Sequence, residues 1–261
     1  MRWIELRNKI AAYRLFEGRE WAGHDAEPEA IGRLDPYRRL FAAEGYGYRQ
    51  ARRGLLAPEL ASWLSPIAIH AGAGVWRAER ALESIAAGRW EREIIAEYAA
   101  ECGRDAWEGY DGIVQEALGL AARTLYPHLI PMLDLRLRAT SEVFWERFWH
   151  GVGRGIYFAP SNVSPFRAAP WMGVRTCAAE PPHATGRRNA ISGFCFALTL
   201  VNLRHPEILK SFLEHHAVQD ADGSDGVEAA LAVWALTESG GISDPRPERL
   251  FSTRQREETI R

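Results

Sequence analysis

The chain has 261 residues, of which 47% are hydrophobic and 25% charged, with a formal net charge of -2. These values predict one large globular domain, and they exclude the strongly basic surface that is typical of nucleic-acid-binding domains. No apolar run reaches roughly 18 residues, the charged start MRWIELRNKI lacks a signal-peptide core, and three distant cysteines do not indicate a disulfide framework, so we expect a cytoplasmic protein without a transmembrane segment.

The predicted elements are all helices, because apolar residues recur at helical spacing and no stretch alternates with a period of two. Caps, prolines and glycines set their ends. In chain order, helices are expected over 4–27, 37–53, 55–64, 66–85, 91–102, 105–124, 141–158, 171–179, 190–203, 207–216 and 227–238. Pro127 and Pro131 predict a turn, and Asp220–Gly226 (DADGSDG) predicts a loop that lacks the last glutamate of a calcium site. The predicted fold is all-α, with one helical domain over 1–240 and a charged, partly disordered tail over 241–261.

The stretch Phe144–Phe158 (FWERFWHGVGRGIYF) is the centre of the predicted fold. Its aromatic and aliphatic residues form one helical stripe, and Thr140 or Ser141 is a suitable N-cap. Three glycines in one helix cost roughly 1 kcal/mol each relative to alanine, so close packing or a ligand must account for them. We therefore expect Ser141–Phe158, and the apolar segment Ala190–Leu203, to be buried central helices.

Short glycine motifs recur along the chain, each preceded by an apolar anchor. They are FEGREW from Phe16, FAAEGYGY from Phe41, IHAGAGVW from Ile69, WEGYDG from Trp107, FWHGVGRG from Phe148, PWMGVR from Pro170 and ISGFCFA from Ile191. Successive motifs lie roughly 20 to 40 residues apart, the range of helical repeat units. This pattern predicts a compact helical-repeat assembly with degenerate internal duplication and glycine-rich central helices, in which 1–103 and 104–240 are candidate pseudo-repeat halves.

Several of these pieces resemble the family called domain of unknown function 1702, which is found in gene clusters for enediyne-type polyketides. The similarity lies in EGYG, HAGAGVW, WEGYDG, HGVGRGIYF and WMGV, at Glu44–Gly47, His70–Trp76, Trp107–Gly112, His150–Phe158 and Trp171–Val174. The resemblance implies a role in specialised metabolism, on or near a polyene-like intermediate. It implies no particular mechanism.

The residues just before the glycines are the candidate catalytic groups. If the motifs are equivalent packing units, their acids and histidines point to a common interior, with arginines as counter-charges. The predicted catalytic residues are Glu44, His70, Glu108, His150 and Arg154. Structural ion pairing for the arginines, and a structural role for His70, remain open alternatives.

A metal site is the weaker alternative. Glu17, Glu20 and His24 share one face of the first predicted helix, and such side chains bind iron or zinc. A carboxylate-bridged site needs a matching second helix, and the sequence has no further Glu-x-x-His, so we expect no stoichiometric metal. No phosphate-binding loop, dinucleotide fingerprint or nucleophile elbow indicates a cofactor either.

Two functions follow as hypotheses. The first is a biosynthetic enzyme, or enzyme component, whose cavity of glutamate, histidine and aromatic residues takes a hydrophobic polyketide-like intermediate. The alternative is a non-catalytic helical scaffold or carrier for such an intermediate. Pathway proteins or a second copy of the chain are candidate partners.

Overall fold

The computed structural model describes residues 2–19, 27–55, 64–107, 109–159, 162, 171–215 and 221–238. These residues form 12 α-helices and one short 3-10 helix, and none of them is in a strand, which confirms the all-α prediction. No helix in these ranges combines the length and apolar character needed to span a membrane.

The helices carry the following bounds: α1 Arg2–Glu17, α2 Glu27–Gly32, α3 Pro36–Arg52, α4 Pro66–Ala86, α5 Glu91–Asp105, α6 Asp111–Leu125, α7 Ile130–Thr140, α8 Glu142–Phe158, α9 Gly173–Ala179, α10 Ala184–Val201, α11 Pro206–His215 and α12 Ala221–Glu238. The 3-10 helix is Pro127–Leu129. Ser141 is the N-cap of α8, and its hydroxyl accepts the Phe144 N–H at 3.3 Å, as the sequence predicted.

Three predicted boundaries are wrong for local reasons. The first helix ends at Glu17, because Gly18 takes a positive φ of 79° and closes it. Helix α5 continues through Gly103 to Asp105, since that glycine keeps helical geometry. Helix α6 begins only at Asp111, after a turn in which Gly109 has a φ of 83°.

Two segments predicted as irregular are helical. Ile130–Thr140 forms α7 because Pro131 lies in the first turn, where proline is tolerated. The segment DADGSDG was predicted as a loop, but from Ala221 onward it is the start of α12. The segments 55–64 and 241–261 fall wholly or mostly outside the described residues.

Six helices form a closed row. Each of α3, α4, α6, α8, α10 and α12 packs against the next, and α12 also contacts α3. Helix α1 lies beside α3 at the edge of this row and touches α10. A side chain that reaches from α8 to α3 therefore crosses the interior of the row, since α4 and α6 separate those two helices.

Glycines set the distance between neighbouring helices in the row. A Cβ on Gly151 would lie 2.0 Å from the Glu116 carbonyl oxygen, and a Cβ on Gly119 would lie 1.8 Å from that of Phe148. Helices α6 and α8 thus cross with each backbone seated on a glycine of the other, close enough for Cα–H···O contacts. Equivalent contacts join Gly47 to Ile69, Gly72 to Glu44, Gly153 to Ala190, Gly193 to His150 and Gly226 to Ser192. The internal duplication stays a prediction, but five motif glycines share this packing role: Gly47, Gly72, Gly151, Gly153 and Gly193.

The buried apolar residues fall into two clusters. The larger surrounds α8 and includes Phe148, Trp149 and Ile156. The smaller joins α3, α4, α10 and α12 and includes Ile69 and Phe196. The predicted burial of both central helices is confirmed, and the candidate polar site lies between them.

Candidate functional site

The core of the site is a fully buried carboxylate, Glu116 of α6. One of its oxygens lies 2.9 Å from His150 Nδ1, and the other accepts from Arg154 Nη1 at 2.6 Å. Glu116 is 0% exposed and His150 is 1% exposed. Such a carboxylate keeps its charge only because both oxygens have charged or polar donors.

Arg154 extends this pair to a second acid. Its Nη2 donates to Glu44 Oε1 at 3.4 Å, across the interior from α8 to α3. The Glu44 side chain is 16% exposed, so it lies at the outer edge of the cluster. Glu44, Arg154, Glu116 and His150 therefore form one continuous hydrogen-bonded set, which we name the relay cluster.

The pKa values of the two acids in the relay cluster are shifted in opposite directions. Burial raises the pKa of Glu44 above its ordinary value, and the nearby Glu116 charge raises it further against the opposing effect of Arg154. Burial acts in the same direction on Glu116, but Arg154 and His150 outweigh it and lower the pKa of that carboxyl. The surroundings therefore move the pKa values of the two carboxyls apart, a pattern that is typical of acid–base sites.

Arg154 has a further donor within the cluster. Its Nε–H is buried and has no hydrogen-bond acceptor among the described residues. The guanidinium also lies 5.5 Å from the centre of the Phe196 ring, and His150 is 5.4 Å from the same ring. The polar groups therefore border an aromatic surface that belongs to the smaller apolar cluster.

His70 has a separate set of partners. Its Nδ1 lies 2.8 Å from the Pro66 carbonyl oxygen, and its Nε2 accepts the Trp107 N–H at 3.2 Å. The ring also contacts the Trp107 and Tyr110 side chains. Burial lowers the pKa of His70, which favours the neutral ring with its proton on Nδ1. These contacts tie the turn before α6 to α4 and match the structural alternative for this histidine.

Arg147 is the other arginine of the stretch Phe144–Phe158. Arg147 lies outside the relay cluster, because its Nη1 donates to Gln115 at 2.7 Å and to Asp111 at 3.3 Å near the start of α6. Glu108 lies outside the described residues, as do Glu20 and His24 of the alternative metal set. Helix α1 ends at Glu17, the first residue of that metal set. The described residues contain no cluster of three or more metal-binding side chains.

The sequence reasoning missed Glu116, although a signal for it was present. Glu44, Glu116 and His150 are each followed by a small residue and then, at the third position, by a glycine: EGYG, EALG and HGVG. At each of these residues the backbone carbonyl meets a glycine of the neighbouring helix. The pattern therefore marks side chains at the helix crossings, and EALG was overlooked because its second residue is alanine.

A second, partly buried acid has a structural role. Asp134 Oδ1 accepts the indole N–H groups of Trp145 and Trp149 at 2.6 and 2.7 Å, and His183 Nε2 at 2.9 Å. His183 Nδ1 in turn accepts the Gly186 N–H at 2.8 Å and caps α10. Because every one of these donors is matched, this set fixes the start of α10 against α7 and α8.

Comparison of the chain with protein-family models, with curated proteins and with solved structures finds no match.

Proposed function

We propose that the chain is an enzyme, or an enzyme component, of specialised metabolism that transfers a proton to a hydrophobic small molecule at the relay cluster. The observation that supports this most directly is the pairing of two unlike acids. Glu44 has a raised pKa at the edge of the cluster, while Arg154 and His150 hold Glu116 in its ionised form. Pairs of carboxyl groups that are driven apart in this way serve as acid and stabiliser in known mechanisms.

In this proposal Glu44 is the general acid. When Glu44 is protonated, the negative charge of Glu116 and the positive charge of Arg154 balance each other. Donation of the Glu44 proton leaves the buried cluster with one excess negative charge, which is costly away from water. Return of a proton from water to Glu44, whose side chain is 16% exposed, restores the balance and regenerates the acid.

Arg154 supplies the substrate contact. Its buried Nε–H would donate to an oxygen of the substrate, such as a carbonyl or hydroxyl group. Phe196 beside it, and the apolar residues around that ring, favour an unsaturated or aliphatic body. The resemblance to the polyketide-cluster family points to the same class, a polyene-like intermediate.

A non-catalytic scaffold or carrier is the second candidate. The observation in its favour is the direct seating of helix backbones on glycines at successive crossings, which makes a stiff framework. In a scaffold, the relay cluster serves only to hold α3, α6 and α8 together. The two functions differ in whether Glu44 must carry a titratable proton.

Deletion of the gene and complementation in its own host separates them. Loss of an apolar metabolite, or accumulation of its precursor, is measured by untargeted mass spectrometry. Restoration is then tested with wild type, with Glu44→Gln, and with the control Glu214→Gln, whose side chain is 60% exposed on α11. The glutamine at position 44 keeps the size and the hydrogen bond to Arg154 but removes the acid.

The enzyme proposal predicts that wild type and Glu214→Gln restore the metabolite and that Glu44→Gln accumulates the precursor. Circular dichroism and thermal unfolding establish that each variant is folded. Full restoration by folded Glu44→Gln would reject Glu44 as the acid and favour the scaffold.

A further inference from the structure

Helix α1 buries two of its charged residues and exposes three of its large apolar residues. Glu5 and Lys9 are 7% and 4% exposed, whereas Trp3, Ile10 and Tyr13 are 63%, 49% and 60% exposed. Ala12 and Leu15 share the inward face with these charged residues, at 3% and 2% exposed, so the outward apolar residues are additional to the stripe that faces the core.

Specific contacts fix this orientation. The Lys9 ammonium donates to the Tyr157 and Asn162 carbonyl oxygens at 3.1 and 3.2 Å, and it lies 3.4 Å from Glu5. Glu5 in turn accepts the indole N–H of Trp171 at 2.9 Å. Rotation of α1 to bury its apolar face would leave these groups without their partners, so the outward apolar face is built into the fold.

The outer face has an ordered pattern. Residues seven apart lie nearly above one another on a helix. The face consists of three such rows: Leu6 with Tyr13, Trp3 with Ile10, and Arg7 with Arg14. Both arginines of the third row are exposed. The face therefore presents an aromatic and aliphatic band with a basic edge.

We propose that this face of α1 docks on the surface of an anionic lipid bilayer. Tryptophan and tyrosine favour the boundary between headgroups and acyl chains, and arginine beside them binds anionic headgroups. Glu17 lies seven residues after Ile10 at the end of this face, where it interacts with Tyr13 and pairs with Arg19 at 2.6 Å. Arg7, Arg14 and Arg19 are all exposed, so the outer side of α1 has an excess of basic residues. An antiparallel two-fold contact with a second copy is a poorer occupant, because it brings two arginine rows together. Docking at this face does not depend on the proton chemistry proposed for Glu44.

Co-sedimentation of the full chain with lipid vesicles tests the proposal. One set of vesicles contains phosphatidylcholine with about one quarter phosphatidylglycerol, and the other contains phosphatidylcholine alone. The triple variant Trp3→Ser, Ile10→Ser, Tyr13→Ser removes the apolar band, and Arg7→Gln with Arg14→Gln removes the basic edge. The matched control is Trp90→Ser with Leu135→Ser, because those side chains are 60% and 65% exposed away from α1.

Wild type and the control pair are expected to bind the anionic vesicles equally. The triple variant should lose at least about tenfold in partitioning. The arginine variant should lose about fivefold for each arginine on anionic vesicles and little on phosphatidylcholine alone. Far-UV circular dichroism verifies that α1 remains helical in each variant.

Absence of wild-type binding to anionic vesicles, or equal binding by the triple variant, overturns the proposal. Light scattering adds a separate outcome: a wild-type dimer that the triple variant dissociates, without vesicle binding, would assign the face to self-association instead. A wild type that pulls down another protein but does not pellet with vesicles would reject the lipid surface in the same way.

Discussion

Arg154 and Glu116 form a buried ion pair between α8 and α6, with 2.6 Å from Nη1 to the carboxylate. The pair lies beside the crossing at which Gly151 of α8 rests on the Glu116 carbonyl group. The backbone contact thus places the two helices so close that the side chains meet without solvent between them. This relationship is the structural basis of the relay cluster.

Removal of one member of that pair should destabilise the fold far more than removal of both. Arg154→Met leaves Glu116 as a buried carboxylate with a single donor, and we expect a loss of about 3–5 kcal/mol in the free energy of unfolding. Arg154→Met with Glu116→Leu should recover most of that loss. The control Arg204→Met removes an exposed pair with Asp35 and should change stability by less than about 1 kcal/mol. Urea titration measures all three, and additive losses in the double variant would contradict the coupling.

His70 should make stability depend on pH in the mildly acidic range. Its pKa is below the ordinary value in the folded chain, so the unfolded chain takes up the proton first as pH falls. The stabilisation from neutral His70 is complete above the unfolded pKa of about 6.5 and is lost as pH falls towards the folded pKa.

We therefore expect wild type to lose stability between about pH 7 and pH 5 more steeply than His70→Asn. Replacement of the exposed His128 by asparagine is the control and should keep the wild-type slope. Identical slopes for wild type and His70→Asn would show that the imidazole is not held neutral.

Lys9 should make stability depend on pH in the alkaline range. Burial lowers its pKa from 10.5 to about 8, against the raising effect of Glu5. Between pH 8 and pH 10.5 the Lys9 side chain is protonated in the unfolded chain but not in the folded chain. The contribution of Lys9 to the free energy of unfolding therefore increases with pH over this range and is absent below pH 8.

The measurement is the difference in unfolding free energy between wild type and Lys9→Met, which cancels the tyrosines and cysteines that titrate in the same range. That difference should move in favour of wild type by on the order of 3 kcal/mol as pH rises through this window. A difference that is constant with pH would contradict the lowered pKa.

The motif glycines should tolerate alanine only where no backbone faces them. A Cβ on Gly193 would lie 1.9 Å from the His150 carbonyl oxygen, so Gly193→Ala must separate α8 and α10 and should cost about 3 kcal/mol or more. A Cβ on Gly103 of α5 would meet no atom within 4 Å, and Gly103→Ala should stabilise by roughly 0.5–1 kcal/mol. Thermal unfolding of the two variants compares them directly, and equal effects would contradict the crossing geometry.

The sequence predicted those parts of the fold that depend on local signals. Ser141 as a cap and the apolar stripe of α8 follow from the local sequence pattern. Helix α7 was missed because Pro127 and Pro131 were interpreted as a turn. Glu44, His150 and Arg154 were predicted as one site from the glycine motifs, and they belong to one hydrogen-bonded set. The place of His70 outside that set depends on the turn at Trp107, a tertiary contact that no local pattern encodes.

The most direct test of the relay cluster is conversion in heavy water. Apolar extract of the deletion strain contains the accumulated precursor, and purified chain is incubated with it in deuterium oxide before mass spectrometry. We predict that wild type and Glu214→Gln convert the precursor with uptake of one non-exchangeable deuterium at carbon, and that folded Glu44→Gln does not. Conversion by Glu44→Gln at the wild-type rate, or absence of any conversion by wild type, would contradict proton transfer at the relay cluster.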